Sequence, residues 1–405
     1  MLFKILLLWS FVLLGRPQDL ILALQPFRPA LLLTAMSAGS AFFGGKGKQL
    51  SSVFHLSETR KYIFFYLTMI LGIPFAYHRG EAFSFIFLLY SVNVLFFIIF
   101  IMEVDSIEKL KTILFMISLC TFFYGVFGLL NGAFYAGRFE IYGGMFDPND
   151  IAYVLISLFP LSFYFIFHRE GTLKRILAIT SIITALIVIL YSGSRGGMLG
   201  LIAVILCFLL TKTNKIKSSH KIVFIIGMTF LLFIVRDKID FDRYLTLADV
   251  GNDYNSSDEF GRLQIWKRGF DLLLSNPITG VGVTCFGMAL GYAREALGIV
   301  PKWQEPHNSF VQVSVETGVP GFILFMSLTI QSLKTFSKFK KLKSTSREIA
   351  ELNTISGLMQ VAFIGQLVAA AFITQAYSLF FTVFFAFSAV LGNIASRLTE
   401  QNVAN

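Results

Sequence analysis

Between positions 305 and 316 the sequence gathers many polar side chains, among them Glu305, His307, Asn308, Gln312, Ser314 and Glu316. The chain then runs directly into residues 322–330, which are mostly apolar. A segment that enters lipid normally sheds such groups, because each costs a few kcal/mol unless it is paired or faces an aqueous cavity. So many at the mouth of one membrane helix point to a site. Histidine there can take a proton from a hydroxyl or donate to a leaving oxygen. The plainer alternative is an ordinary helix start, with Asn308 or Ser309 as cap and His307 satisfied by water. Glu316, nine residues on, lies at the outer interface or about 13 Å along the helix. Gly318-Val-Pro-Gly321 is expected to kink that helix.

Two arginine-bearing stretches match this mouth. Residues 191–198 read Y-S-G-S-R-G-G-M, an outer turn between two apolar runs. Its glycines let backbone approach a ligand, and Arg195 among them suits an anionic oxygen, bidentately if that oxygen belongs to phosphate. The alternative is a tight helical hairpin whose arginine snorkels to headgroups. Residues 261–274 predict an amphipathic helix, with Leu263, Trp266, Phe270, Leu273 and Leu274 near helical spacing. Arg262 and Trp266 are four apart and share a face, and Arg268 lies on the same helix. A surface helix with ordinary interfacial Arg and Trp is the rival reading. Asp240-Phe-Asp242 has the acid-x-acid form of many nucleotide-sugar glycosyltransferases, but it is a two-residue match on the outer face, away from nucleotide sugars. No Cys/His cluster, P-loop or GxSxG element occurs.

The elements that carry these residues are membrane spans. Of 405 residues 55% are hydrophobic, 16% aromatic and 14% charged, and the mean hydropathy is +0.71. That excludes a soluble domain. Apolar runs at 2–14, 29–43, 61–77, 82–102, 112–130, 151–167, 175–191, 197–210, 221–235, 314–333, 354–374 and 377–396 predict about twelve helices, most near the roughly 20 residues a bilayer requires. The first run is short. It lacks a small-x-small cleavage site and is read as a span rather than a signal peptide. With the N-terminus inside, most of the 34 basic residues fall in inner loops, which puts both termini in the cytoplasm. The basic runs at 212–221 and 334–347 are topology signals and lipid-headgroup contacts. They lack the aromatic interleaving of a nucleic-acid site. Cys120, Cys207 and Cys285 are too dispersed for a disulfide framework or a metal quartet. The fold class is an all-α integral membrane protein in three parts: helices 1–9 over 1–235, an outer loop over 236–306, and helices 10–12 over 307–405. The loop, about 70 residues long, is expected to be partly folded as a cap, with Asp249–Glu259 irregular.

Three motifs in order, Y-S-G-S-R-G-G, then G-R-L-Q-I-W-K-R-G with N-P-I-T-G-V-G-V, then H-N-S-F-V-Q-V with E-T-G-V-P-G-F, resemble the O-antigen ligase/polymerase superfamily of bacterial envelope membrane proteins. Arg16-Pro-Gln-Asp and Phe146-Asp-Pro-Asn-Asp-Ile-Ala152 extend the resemblance over most of the chain. It implies a GT-C-like helical bundle in the bacterial inner membrane, with its site on the periplasmic face. It also implies transfer of a glycan from undecaprenyl diphosphate to a hydroxyl, which in the ligases needs neither metal nor nucleotide. In ligases the acceptor is the lipid A–core oligosaccharide; in polymerases it is another lipid-linked repeat unit. By motif, the family's two outer arginines and histidine carry over to Arg195, Arg262 and His307. Arg79, in the short loop after the third span, is a further phosphate contact. Trp266, Arg268 and Asn308 complete the substrate-binding set, with Glu305 or Glu316 as the partner of His307. The residue chemistry agrees, because fixed guanidinium groups lower the cost of charge developing on a diphosphate leaving group.

Two other classes fit less well. A transporter or flippase predicts mid-span charges and similarity between halves, whereas the polar groups here gather on one membrane face. A protein O-oligosaccharyltransferase of the same broad superfamily would differ in its acceptor.

Overall fold

The computed structural model describes residues 1–45, 47–141, 147–168, 170–245, 261–342 and 346–404. Residue 146 of the early motif and the segment Asp249–Glu259 lie outside the described residues. All twelve apolar runs fold as helices: α1 Leu2–Gly15, α2 Pro29–Phe43, α3 Ser57–Gly72, α4 Arg79–Glu103, α5 Ile107–Asn131, α6 Pro148–Phe167, α7 Thr172–Tyr191, α8 Arg195–Leu210, α9 Ser218–Lys238, α12 Ser309–Phe339, α13 Arg347–Ala370 and α14 Leu379–Ala404. Between α9 and α12 come α10 Arg262–Ser275 and α11 Phe286–Ala296. Among the described residues, eight helices are long and apolar enough to cross a membrane. Of the remaining four runs, α1 and α8 form shorter apolar helices. The protein is therefore a mostly helical membrane protein in which, among the described residues, eight of the twelve expected spans have the length and composition of a membrane crossing. The deficit arises where helices of 14 to 16 residues fall below the roughly 20 that cross a bilayer unaided.

Small residues set the closest helix contacts, as they do wherever apolar solvent gives helices no reason of its own to associate. Gly200 of α8 faces α13: a Cβ there would lie 3.0 Å from Ala369 Cβ and 3.1 Å from the Gly365 carbonyl. Large rings fill the wider gaps, with Trp9, Tyr62, Phe65, Phe97 and Tyr124 fully buried. Short α1 is held inside this packing, where its Leu14 carbonyl accepts from Tyr124 Oη at 2.8 Å and Trp9 Nε1 donates to Thr34 Oγ1 at 3.1 Å.

Two features depart from the sequence reading. A hairpin, Ala133–Tyr135 with Arg138–Glu140, interrupts the all-helical pattern after α5. Its two-residue turn has Ala136 at φ 46° and Gly137 at φ 75°, the double left-handed geometry that suits the twist of paired strands. On α10, the buried face is Ile265, Gly269 and Leu272, while Leu263, Phe270 and Leu274 are exposed. The helix is apolar on two sides. One packs on α11 and α12, and the other is left outward, where an interfacial helix meets lipid.

The predicted kink in α12 is present at Gly318, with φ 67° and ψ −175°. It opens the helix so that the Val315 and Glu316 carbonyls accept from Val281 and Gly282 N–H at 2.9 and 3.1 Å, while Val319 N–H donates to the Pro277 carbonyl at 2.8 Å. The freed backbone groups of the broken helix are thus satisfied by the loop after α10, as groups at membrane depth must be.

Candidate functional site

His307 stands between three elements. Trp266 of α10 donates its Nε1–H to the Pro306 carbonyl at 2.7 Å. Asn308 caps α12, its Oδ1 accepting from Phe310 and Val311 N–H at 2.9 and 3.1 Å. His307 N–H itself donates to Thr374 Oγ1 at 3.0 Å, in the loop between α13 and α14. Pinned on both sides, His307 adopts φ 45°, a left-handed backbone that a non-glycine residue takes at a cost of about 1–3 kcal/mol. The residue is exposed. Desolvation and then the Arg262 charge push its pKa below the ordinary histidine value, against a smaller opposing pull from Asp147. Both lowering effects favour the neutral imidazole, the form able to accept a proton.

The second centre is the turn before α8. Ser194 caps that helix through Gly197 N–H at 3.1 Å and donates to Asn149 Oδ1 at 2.9 Å. Arg195 is the first helical residue. Two arginines that sequence reasoning missed converge on the same turn. Arg138 from the hairpin donates to the Ser192 carbonyl at 3.2 Å and to Asn149 Oδ1 at 3.1 Å, and Arg243 donates to the Gly193 carbonyl at 2.8 Å. Burial and then the neighbouring Arg243 charge push Arg138 below its usual pKa. Gly193, at φ 59°, lies against both side chains. No local pattern marks Arg138 or Arg243, because their neighbours on the turn are some 50 residues away in sequence.

The loop 371–378 joins the two centres. Its Phe372 packs on Gly196, where a Cβ would lie 2.6 Å from Phe372 Cβ. Two residues on, Thr374 holds His307. Gln375 bridges further, donating to Asp150 Oδ1 at 2.8 Å and taking Ser309 Oγ on its N–H at 3.0 Å. Beneath the loop lies a cavity of about 520 Å³, within the range of ligand pockets. Arg16, Asp150, Gln312, Thr374 and Tyr377 are among its polar lining residues. Arg16, at φ 45°, pairs with Asp19 beside it.

The acids fall elsewhere. Glu316 is buried and its Oε1 accepts from Phe286 N–H at 3.2 Å, at the start of α11. Negative charge or an acceptor is stabilising at a helix N-terminus, so Glu316 anchors α11. The electrostatic neighbours of Glu305 are Glu81 and Glu316, and burial followed by the Glu81 charge raises its pKa. Neither acid is the one bearing on His307, which is Asp147. Asn308 serves as the helix cap that the plainer reading expected. Arg79 is exposed in the first turn of α4, two residues before Glu81. Arg268 lies about 120° around α10 from Arg262 at 3.6 residues per turn, off the face that meets His307. Asp240 is a cap too, its Oδ1 accepting from Arg243 N–H at 3.0 Å.

Arg262, Trp266 and His307 are thus brought together, Arg195 joins them through one loop, and the stretch that contains all four matches a known family. Residues 180–326 match the family model described as O-antigen ligase. Over that segment the chain is similar to the O-antigen ligase family. No curated protein matches the chain. The match begins within α7 and ends eight residues past the Gly318 kink. It therefore spans the arginine turn, the described part of the outer loop and the histidine mouth, and leaves out α1 to α6, the hairpin with Arg138, and the loop 371–378. The O-antigen ligase-like family comprises glycosyltransferase-type ligases and polymerases that act on lipid-linked glycans.

Proposed function

We propose that this protein is an O-antigen ligase, transferring a glycan from undecaprenyl diphosphate to a hydroxyl of lipid A–core oligosaccharide at the periplasmic face of the inner membrane. The observation that carries the reading is the joining of two centres by one loop, a neutral, strained His307 next to Arg262 and an arginine-rich turn headed by Arg195. Arg195 and Arg262 hold the diphosphate, with the charges of Arg138 and Arg243 adding to the field at the turn. His307 takes the acceptor hydroxyl proton. The oxygen attacks the anomeric carbon as the bond from that carbon to the diphosphate oxygen breaks, and the leaving group departs with its electron pair, inverting the centre. Fixed guanidinium groups oppose the charge that develops on the leaving oxygen without reorganising during the step. Proton transfer by a positioned base supplies on the order of 10²–10⁴-fold.

The test is transfer in reconstituted membranes containing an undecaprenyl-diphosphate glycan and lipid A–core, with EDTA present. Core-linked product from wild type, lost in Arg195→Ala, Arg262→Ala and His307→Ala, supports the ligase and its site. Longer lipid-linked glycan with no core product makes the protein a polymerase. Transfer unaffected by all three changes would overturn the site.

A further inference from the structure

At the membrane face opposite His307, α12 and α3 enclose a second groove of about 700 Å³. One stripe of α12 forms its floor. Ile323, Met326 and Ile330 are apolar, and Lys334 and Lys338 continue the same line at helical spacing. Ile323 and Ile330 are 59% and 46% exposed, so this side of α12 is not covered by another helix. Lys61 of α3 closes the basic end from the other wall, its Nζ donating to Gln331 Oε1 at 2.5 Å. Among the described residues none of the three lysines has an ion pair with an acid. Lys334 and Lys338 are four apart on one helix face, where like charges repel. The groove therefore offers an apolar slot at membrane depth that ends in three clustered positive charges needing a counter-charge.

We propose that this groove is a binding site for an anionic glycerophospholipid of the leaflet opposite the His307 mouth, with an acyl chain along Ile323–Ile330 and the headgroup phosphate on Lys61, Lys334 and Lys338. The chemistry is complementary at both ends, and basic pockets between membrane helices select anionic headgroups. A zwitterionic lipid would satisfy the slot but not the charge. A second copy of the chain would bring its own basic residues to the same place. The site is independent of the transfer reaction, since no residue of it lies near His307 or Arg195.

Native mass spectrometry of the full chain in detergent tests the proposal, with phosphatidylglycerol and phosphatidylcholine added separately. Wild type is expected to retain phosphatidylglycerol in preference to phosphatidylcholine, with retention falling as salt rises and unaffected by millimolar inorganic phosphate. Each of Lys61→Gln, Lys334→Gln and Lys338→Gln is expected to weaken retention about five-fold, and the triple change on the order of a hundred-fold. Ile323→Trp, which fills the slot and leaves the lysines in place, should also lower it. Every variant is checked for an unchanged melting temperature. Equal retention of the two lipids, or undiminished retention in the folded triple variant, overturns the proposal. So does a dimer that buries the groove and is lost in Ile323→Trp, or displacement of the lipid by free phosphate.

Discussion

At the scale of single residues, His307 is defined by two neighbours of opposite charge. Arg262 lowers its pKa and Asp147 raises it. The signs follow directly. Removing a positive neighbour in Arg262→Gln makes the protonated ring less costly and should raise the His307 pKa. Asp147→Asn removes the opposing negative charge and should lower it further. Ring-selective NMR titration in detergent reads both shifts, and a fall in Arg262→Gln would show that the two groups do not interact. Because only the neutral ring accepts a proton, wild-type transfer should persist down through the ordinary histidine range and fail at more acid pH. The left-handed backbone makes a separate prediction. His307→Gly should melt above His307→Ala by an amount corresponding to about 1 kcal/mol, since glycine adopts φ 45° without the Cβ penalty. Equal melting temperatures would mean that the surrounding contacts impose no strain there.

At the scale of elements, the broken helix α12 and the loop 276–285 depend on each other. A Cβ on Gly318 would lie 2.6 Å from the Ile278 carbonyl, and one on Gly280 would lie 2.4 Å from the Glu316 backbone. Both residues have positive φ. Gly318→Ala and Gly280→Ala are each expected to destabilise the protein by several kcal/mol, because steric clash adds to backbone strain. Reduced yield and early melting of the purified variants check this, and near-wild-type melting of either would contradict the close approach. Glu316 belongs to the same unit. Glu316→Ala leaves the Phe286 N–H buried without its acceptor, a loss of about 1–3 kcal/mol. Glu316→Gln, which keeps an acceptor oxygen, should recover most of it. If Glu316 instead acted on His307, the Gln variant would melt normally and still lose transfer.

At the scale of the whole molecule, the end opposite the candidate site is tied by buried charge. Lys111 of α5 is only 6% exposed and its Nζ lies 2.8 Å from Glu170, 3.0 Å from Glu108 and 3.6 Å from Glu351. These partners join α5, the turn before α7, and α13, and Arg347 pairs with Glu351 at 2.9 Å. Lys111→Ala removes the buried cation shared by Glu170 and Glu351 and leaves the more exposed Arg347 and Lys174 to offset them. The expected loss is below the roughly 3–5 kcal/mol of an unpaired buried charge, read as thermal melting in detergent. The double change Lys111→Met with Glu351→Leu should cost less than the single change, since it removes both a charge and its partner.

Sequence and tertiary structure decided different things. Apolar runs fixed where the helices lie, because a chain in lipid must satisfy its backbone within each segment. Local chemistry also marked the break in α12 at Gly318-Val-Pro-Gly321, since caps and breaks depend on residues within one turn. The order of the three motifs pointed to the family before any fold was known. Sequence could not tell a cap from a ligand contact at Asn308, nor foresee that Glu316 anchors α11, because in both cases the deciding partner is chosen by packing. It missed Arg138, Arg243 and the loop 371–378 for the same reason: a carbonyl near Gly193 or a ring against Gly196 is met only when distant segments come together. Pattern along a chain reports what each segment must satisfy by itself. Which charges share one site depends on contacts between segments, and those exist only in the folded bundle.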